Sequence, residues 1–193
     1  MNSPENDIWA FEPQIEYFGL LRHNTEGHFN ICCFSEALGS FDGVIEISTV
    51  PLDKVAAPGE PGLEKTTAFV KTLDSVCAER FEQRIALIKI DVDGKELDIL
   101  KGAEGTIDKW RPILFVEYDR PENATDLPAW IHTKKYRIYR VTPRLYNPDN
   151  FRKNPINVFG NLESCMLLCV PQERYDLRAD TFGFPVDRVR VTK

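Results

Sequence analysis

The sequence predicts an α/β domain with a mostly parallel sheet and helices on both faces. Short apolar runs of strand length alternate with longer stretches of helical period, the pattern of parallel strands joined by crossover helices. Apolar runs also end on carboxylates at Glu12, Asp91 and Glu117, and open parallel sheets bind ligands at the carboxyl ends of their strands. The 193 residues are 42% apolar and 28% charged, a normal globular balance and the length of one domain. Residues 1–175 are expected to form that domain. The remainder, 176–193, is a charged tail with no assigned structure.

In chain order, Ile8 to Phe11 is a short apolar strand stopped at Glu12-Pro13. Gln14 to Glu26 places Ile15, Phe18, Leu20 and Leu21 at helical spacing and ends before Gly27. Phe29 to Phe34 is a second strand, followed by Glu36-Ala37-Leu38-Gly39. Val44 to Val50 alternates as a strand with one wet side. Pro51 to Lys65, with Pro58, Gly59, Pro61 and Gly62, is an exposed and mobile loop. Thr66 to Lys71 is a short strand, and Leu73 to Phe81 begins a helix. Ile85 to Val92 is a central strand. Glu96 to Trp110 is one helix with Leu97, Leu100, Ala103, Ile107 and Trp110 on a face, ended by Pro112. Ile113 to Val116 is the next strand. Ala124 to Lys135 is a helix, Tyr136 to Val141 a strand, Thr142 to Glu163 a long loop and Ser164 to Val170 the last strand.

The totals exclude several classes. A net charge of −6 disfavours a nucleic-acid partner, which needs a basic face. No run approaches the length of a membrane span, and residues 1–7 are polar, so neither a membrane partner nor a signal peptide is expected. Cys32, Cys33, Cys77, Cys165 and Cys169 form no CxxC pair and no cluster with His, so no metal is expected. Free, mostly buried thiols suit a cytoplasmic protein. His23, His28 and His132 fall on surface helices and turns. The oligomeric state is not legible.

Two acids have competing readings. Glu12 ends a strand before a helix. There it either accepts hydrogen bonds from two ribose hydroxyls or serves as an acid near a helix N-terminus. Ile88-Lys89-Ile90-Asp91-Val92-Asp93-Gly94 delivers Asp91 to the strand end, with Gly94 permitting a tight turn. Asp91 is either a catalytic carboxylate or an anchor of that turn. An aspartyl-nucleophile phosphatase would carry this pattern on its first strand. A calcium loop would need Gly and Glu where Glu96 and Gly102 stand. The long stem of Lys89 allows it to snorkel or to pair with an acid, and it is assigned no role.

These motifs, in this order, resemble the FkbM-type S-adenosylmethionine-dependent methyltransferases. The resemblance rests on Ala10 to Pro13 with Tyr17, Leu20, Leu21 and Asn24; on Ala37-Leu38-Gly39 with Gly43; and on Thr72-Leu73-Asp74. It rests most on Ile88 to Gly94 with Glu96, Leu97, Leu100 to Ala103, and on Arg111-Pro112 and Val116-Glu117. Asp93 stands where the family more often has Glu. The resemblance implies a class I methyltransferase, Rossmann-like fold with strand order three-two-one-four-five-seven-six and an antiparallel seventh strand. It also implies that the central first strand and its Gly-rich turn, which should precede Ile8, are missing, leaving a truncated domain.

S-adenosylmethionine is the implied cofactor, bound by Glu12 at the ribose, Glu36 and Ala37 near the adenine, and Asp91 near the methyl group. Asp91 and then Glu117 are the candidate general bases for a hydroxyl acceptor. Asp93 and Glu96 are read as supporting acids. Because strand six runs parallel to strand four, the loop from Thr142 to Glu163 should lie over the same rim. There Tyr146, Asn147, Asn150 and Phe151 would face the acceptor, a small molecule or sugar. The Asn residues equally suit turns of a capping loop. The rival to an O-methyltransferase is a non-catalytic remnant or binding module of the same fold. A nicotinamide-dependent dehydrogenase is excluded by the absence of any GxGxxG.

Overall fold

The structure, a computed structural model, describes residues 7–49, 64–80, 84–92, 94–119, 125–174 and 186–189. It divides into two compact units, Met1–Phe81 with Lys101–Ala103 and Glu82–Leu100 with Glu104–Lys193.

The first unit opens with a parallel crossover: β1 (Ile8–Phe11), α1 (Ile15–Asn24) and β2 (Ile31–Phe34), with Ile8 opposite Ile31 and Phe11 opposite Phe34. Phe11 stacks on Phe34 at 4.8 Å between ring centroids. A second sheet contains β3 (Ala37–Leu38), β4 (Gly43–Thr49) and β5 (Glu64–Lys71) in the order β3-β5-β4. There β4 and β5 are antiparallel, tied by the Glu46–Lys65 ion pair at 2.6 Å. The expected strands at Val44 and Thr66 are therefore two arms of one hairpin. The loop expected between them falls on residues 50–63, outside the described residues, except that Glu64 and Lys65 are strand.

Helix α2 (Leu73–Arg80) starts at the Thr72-Leu73-Asp74 motif, and the reason is a cap. The Thr72 hydroxyl accepts from Ser75 N at 3.1 Å, satisfying a first-turn N–H. Thr72 N in turn donates to Asp42 Oδ1 at 2.6 Å. Hydrogen bonds from Ser75 and Thr72 hold the Asp42 carboxyl below its ordinary range.

The single helix expected from Glu96 to Trp110 is two helices, α3 (Glu96–Lys101) and α4 (Glu104–Trp110). The break at Gly102-Ala103 has a packing cause. Gly102 lies so close to Gly39 that a Cβ on it would stand 1.8 Å from the Gly39 carbonyl oxygen. Gly102 O also accepts from Asp74 N at 3.0 Å, so this turn serves contacts an unbroken helix would forbid.

The second unit is built on one sheet in the order β10-β8-β9-β7-β6. Its strands are β6 (Leu87–Ile90), β7 (Ile113–Glu117), β8 (Tyr136–Val141), β9 (Met166–Pro171) and β10 (Val186–Val189). The first two are parallel, and β9 runs antiparallel to both β7 and β8. The order β6-β7-β9-β8 is thus the four-five-seven-six run that the resemblance implies. Across the described strands the sheets are mixed rather than mostly parallel, because β4, β9 and β10 all pair antiparallel. The strand expected to be central, β6, is an edge of this sheet among the described residues, with Leu87 and Lys89 exposed. The tail contributes β10, which pairs with β8.

The core of this unit is Leu100, Ile107, Leu114, Val116, Leu127, Ile131 and Leu167, all fully inaccessible, with Leu127 and Ile131 supplied by α5 (Asp126–Thr133). In β7, Leu114 and Val116 are buried while Ile113, Phe115 and Glu117 are half-buried, so one sheet face is fully covered and the other partly. Of the thiols, Cys169 alone is buried among the described residues, and Cys32 is exposed. The expected burial of the others fails: Cys32 and Cys33 lie on β2, which has no buried residue, and Cys77 and Cys165 are half-buried. His23, His28 and His132 are exposed.

Candidate functional site

In the first unit Glu12 lies at the carboxyl end of β1, its N–H donating to Phe34 O at 3.0 Å. Its Oε1 accepts from Gln14 N at 2.8 Å, capping the entry to α1 as an acid near a helix N-terminus does. Among the described residues the second carboxylate oxygen has no hydrogen-bond partner, so the capping role leaves room for the ribose role. Glu36 follows β2, parallel to β1, and therefore shares this carboxyl rim; Ala37 is buried at the start of β3.

In the second unit the register places the candidate bases side by side. Ile90 is opposite Val116, so Asp91 and Glu117 each follow one step on, at the carboxyl ends of adjacent parallel strands. Glu117 is opposite Met166, and Met166 is opposite Val141. Asp91, Glu117, Met166 and Val141 thus form one row across the sheet. The loop between Val141 and Met166 leaves from and returns to that row, as the parallel run of β6 and β8 requires.

Asp91 is half-exposed and ion-paired to Lys89 Nζ at 2.5 Å. Two residues apart at the end of β6, they share a side of the sheet, a spacing from which the pair could have been found. The turn after Asp91 is held by a different acid. Gly94 adopts φ +77°, and its N–H donates to Oε1 of Glu96, which is fully buried. Asp93 lies outside the described residues. Tyr118, next along the rim, was not singled out by its sequence context. Its N–H donates to Cys165 O at 2.8 Å, and burial raises the pKa values of both its phenol and the Cys165 thiol.

The loop's polar groups mostly face its own backbone. Tyr146 Oη donates to Asn154 O at 3.1 Å. Asn147 Oδ1 accepts from Asp149 N at 2.9 Å, and Asn150 Nδ2 donates to Asn154 O at 2.8 Å. Phe151 is fully exposed. Asn147 and Asn150 therefore make turns, one of the two roles their residue type allows.

Arg111, in the Arg111-Pro112 motif, is far from this rim by topology: it precedes the amino end of β7. Its guanidinium donates to Glu173 Oε1 at 2.8 Å and to Lys134 O at 2.9 Å, clamping the turn before β8 to the end of β9. The hydrogen bond from Arg111 holds the Glu173 carboxyl below its usual range and raises the guanidinium pKa. Arg111 and Lys135 both sit in the left-handed backbone region, at φ +52° and +59°. They line a cleft of about 460 Å³ with Asp108, Thr133, Lys134 and Glu173. Arg111 pairs there with Glu173 and Lys134 with Asp108, which suits a structural clamp. Among the described residues no His, Cys, Asp or Glu cluster is suited to a metal ion.

A family model described as the Methyltransferase FkbM domain matches residues 2–138. The chain is also similar in fold to a crystal structure of Methyltransferase FkbM from Methylobacillus flagellatus KT. The two share 22% identity and a TM-score of 0.51, over 84% of this chain and 36% of that one. The chain thus spans well under half the length of that relative. No curated protein matches it. With a family model covering most of its length and the four-five-seven-six strand run in place, the chain belongs to the FkbM methyltransferase family, whose chemistry implies S-adenosylmethionine as methyl donor.

Proposed function

We propose that this domain methylates a hydroxyl oxygen on a sugar or natural product. The observation that carries the reading is the row of Asp91 and Glu117 at adjacent parallel strand ends, with Lys89 paired to the first. When bound, S-adenosylmethionine supplies an electrophilic methyl group on a sulfonium. Glu12 would hold its ribose hydroxyls through the carboxylate oxygen that the cap leaves available, with Glu36 and Ala37 near the adenine. Asp91 orients the acceptor hydroxyl and takes its proton, and Lys89 fixes the direction of that carboxylate. Glu117 is the second candidate base. Much of the acceleration comes from alignment of the acceptor, since a held pair reacts with a high effective molarity. Tyr146 and Phe151 are the proposed aromatic contacts of the acceptor, with Asn147 and Asn150 shaping the loop that carries them.

Calorimetric titration of the chain with S-adenosylmethionine and with its demethylated product is the first test. Measurable heat that Glu12→Ala weakens by about tenfold supports the reading, the ~1.4 kcal/mol expected of one charged contact. A second reading is a binding module of the same fold that does not take the cofactor by itself. It is favoured by the absence of any buried residue in 7–36, the stretch that carries Glu12. No heat with either compound, from a chain that unfolds cooperatively, would decide for that module.

A further inference from the structure

The loop from Val141 to Met166 is built inside out. Its base is closed by Leu145 N donating to Leu162 O and Ser164 N donating to Pro143 O, both at 3.0 Å, and by the bridge between Arg144 and Glu163. Within it, Asn150 Oδ1 accepts from Asn154 N at 3.0 Å, and Asn154 Oδ1 accepts from Ile156 N at 3.0 Å. Asn157 Oδ1 accepts from Phe159 N at 3.0 Å while its Nδ2 donates to Gly160 O at 2.8 Å. The amides are thus turned to the backbone. The large apolar side chains are turned to solvent, Phe151 at 100% exposure and Val158 at 76%, with Ile156 and Leu162 also exposed. Soluble proteins rarely gather exposed apolar side chains this way except at an interaction surface.

The charge around these side chains points to what covers them. Residues 150–162 carry Arg152 and Lys153 and no Asp or Glu, in a chain of net charge −6. Lys153 is ion-paired to Asp149; Arg152, beside Phe151, is exposed. Full exposure of Phe151 means that no groove flanks it, so it protrudes. A protruding apolar side chain with a cation beside it suits a deformable anionic bilayer, where the ring enters the acyl boundary and the guanidinium stays at the phosphates. A folded protein partner would need a pre-shaped pocket for each side chain.

We propose that this loop is a peripheral membrane contact, inserting Phe151 and its aliphatic neighbours into the interface of a bilayer that carries anionic lipids. No helix among the described residues is long and apolar enough to cross a membrane, so the contact is at the surface. The proposal does not depend on methyl transfer, and it assigns the fully exposed Phe151 to the bilayer in place of the acceptor contact proposed above.

The test is sedimentation of the full chain with phosphatidylcholine vesicles, with and without phosphatidylserine. Binding to the anionic vesicles is expected, weakened about fivefold by Arg152→Ala, the ~1 kcal/mol of one basic residue at such a surface. Phe151→Asp should weaken it more than about tenfold, since it removes a buried ring and adds a repelled charge. Both positions are exposed, so unchanged unfolding midpoints show that the variants fold. No sedimentation with either vesicle, or sedimentation that Phe151→Asp leaves intact, overturns the proposal. Concentration-dependent self-association abolished by Phe151→Asp overturns it too, and assigns the loop to a second copy.

Discussion

Two parallel crossovers in this chain share a plan and differ inside. The first, β1–α1–β2, contains no buried residue anywhere in 7–36. The second, β6 to β7 through α3 and α4, buries Ile88, Ile90, Ile99, Leu100, Ile107, Leu114 and Val116. Their apolar content does not explain this. Helix α1 offers Ile15, Phe18, Leu20 and Leu21, as rich a set as α3 and α4 carry. What differs is sheet width. The second crossover feeds a sheet that continues through β9, β8 and β10, so β7 has strands on both sides and α5 adds cover at β8. Two strands and a helix cannot enclose a core, whatever their sequence. The periodic pattern that forms an element is therefore separate from the layers that bury it.

The sharpest way to break this comparison is to delete equivalent leucines from each crossover. Leu114→Ala, at a site with no accessible surface, should destabilise by about 3–5 kcal/mol, loss of transfer energy plus a cavity. Leu20→Ala, exposed on α1, should cost less than about 0.5 kcal/mol. Urea unfolding followed by circular dichroism measures both. Similar costs would mean that α1 is covered in solution and that the contrast is false.

A smaller effect tests whether the looseness of 7–36 extends through the rest of its unit. Gly102 meets Gly39 backbone so closely that Gly102→Ala must displace it, at about 2–3 kcal/mol. A cost below about 1 kcal/mol would show that this part of the unit also yields.

Tyr136 marks the second unit by its pH response. The ring is buried, its hydroxyl donates to Pro112 O at 2.9 Å, and burial pushes the phenol up to about 12. A raised folded-state pKa gives stability that is complete below the unfolded value near 10. That stability is lost as pH rises from there through about 12. Tyr136→Phe should cost about 1 kcal/mol at neutral pH for the lost hydrogen bond. It should also flatten the alkaline fall in urea midpoint between pH 9 and 12. An unchanged alkaline limb would assign that fall to other groups.

What the sequence made legible followed from local periodicity. The positions of β1, β2, β7 and β8, the turn at Gly94 and the strand-end acids all rest on short apolar runs or on one glycine. What it hid depends on partners distant in the chain. The break between α3 and α4 exists because Gly102 meets Gly39, and Gly102 by itself is only a weak helix former. The Arg111 clamp reaches Glu173, and nothing near either residue announces the other. The turn after Asp91 is held by Glu96 from its buried place on α3, and which side of that helix is buried depends on packing with residues distant in the chain. Lys89 with Asp91 was readable, since two residues on a strand share a side. The residue types in the loop after β8 suited amides facing an acceptor and amides making turns equally, and the structure turns Asn147 and Asn150 to the backbone.

The smallest effect has the opposite sign and bears on the comparison most directly. Gly19 is a helical position in α1 with nothing within 4 Å of where a Cβ would stand. Gly19→Ala should therefore stabilise by about 0.5–1 kcal/mol, through the backbone freedom that glycine loses on entering a helix. That gain appears in the unfolding transition only if α1 melts together with what is being measured. If the exposed crossover opens locally while the buried sheet stays folded, the substitution will slow amide exchange within Ile15–Asn24 and leave the urea midpoint unmoved. A shifted midpoint joins the crossover to one cooperative unit despite its exposure. Slowed exchange without a shift means that width of sheet, and not pattern, sets where cooperativity ends.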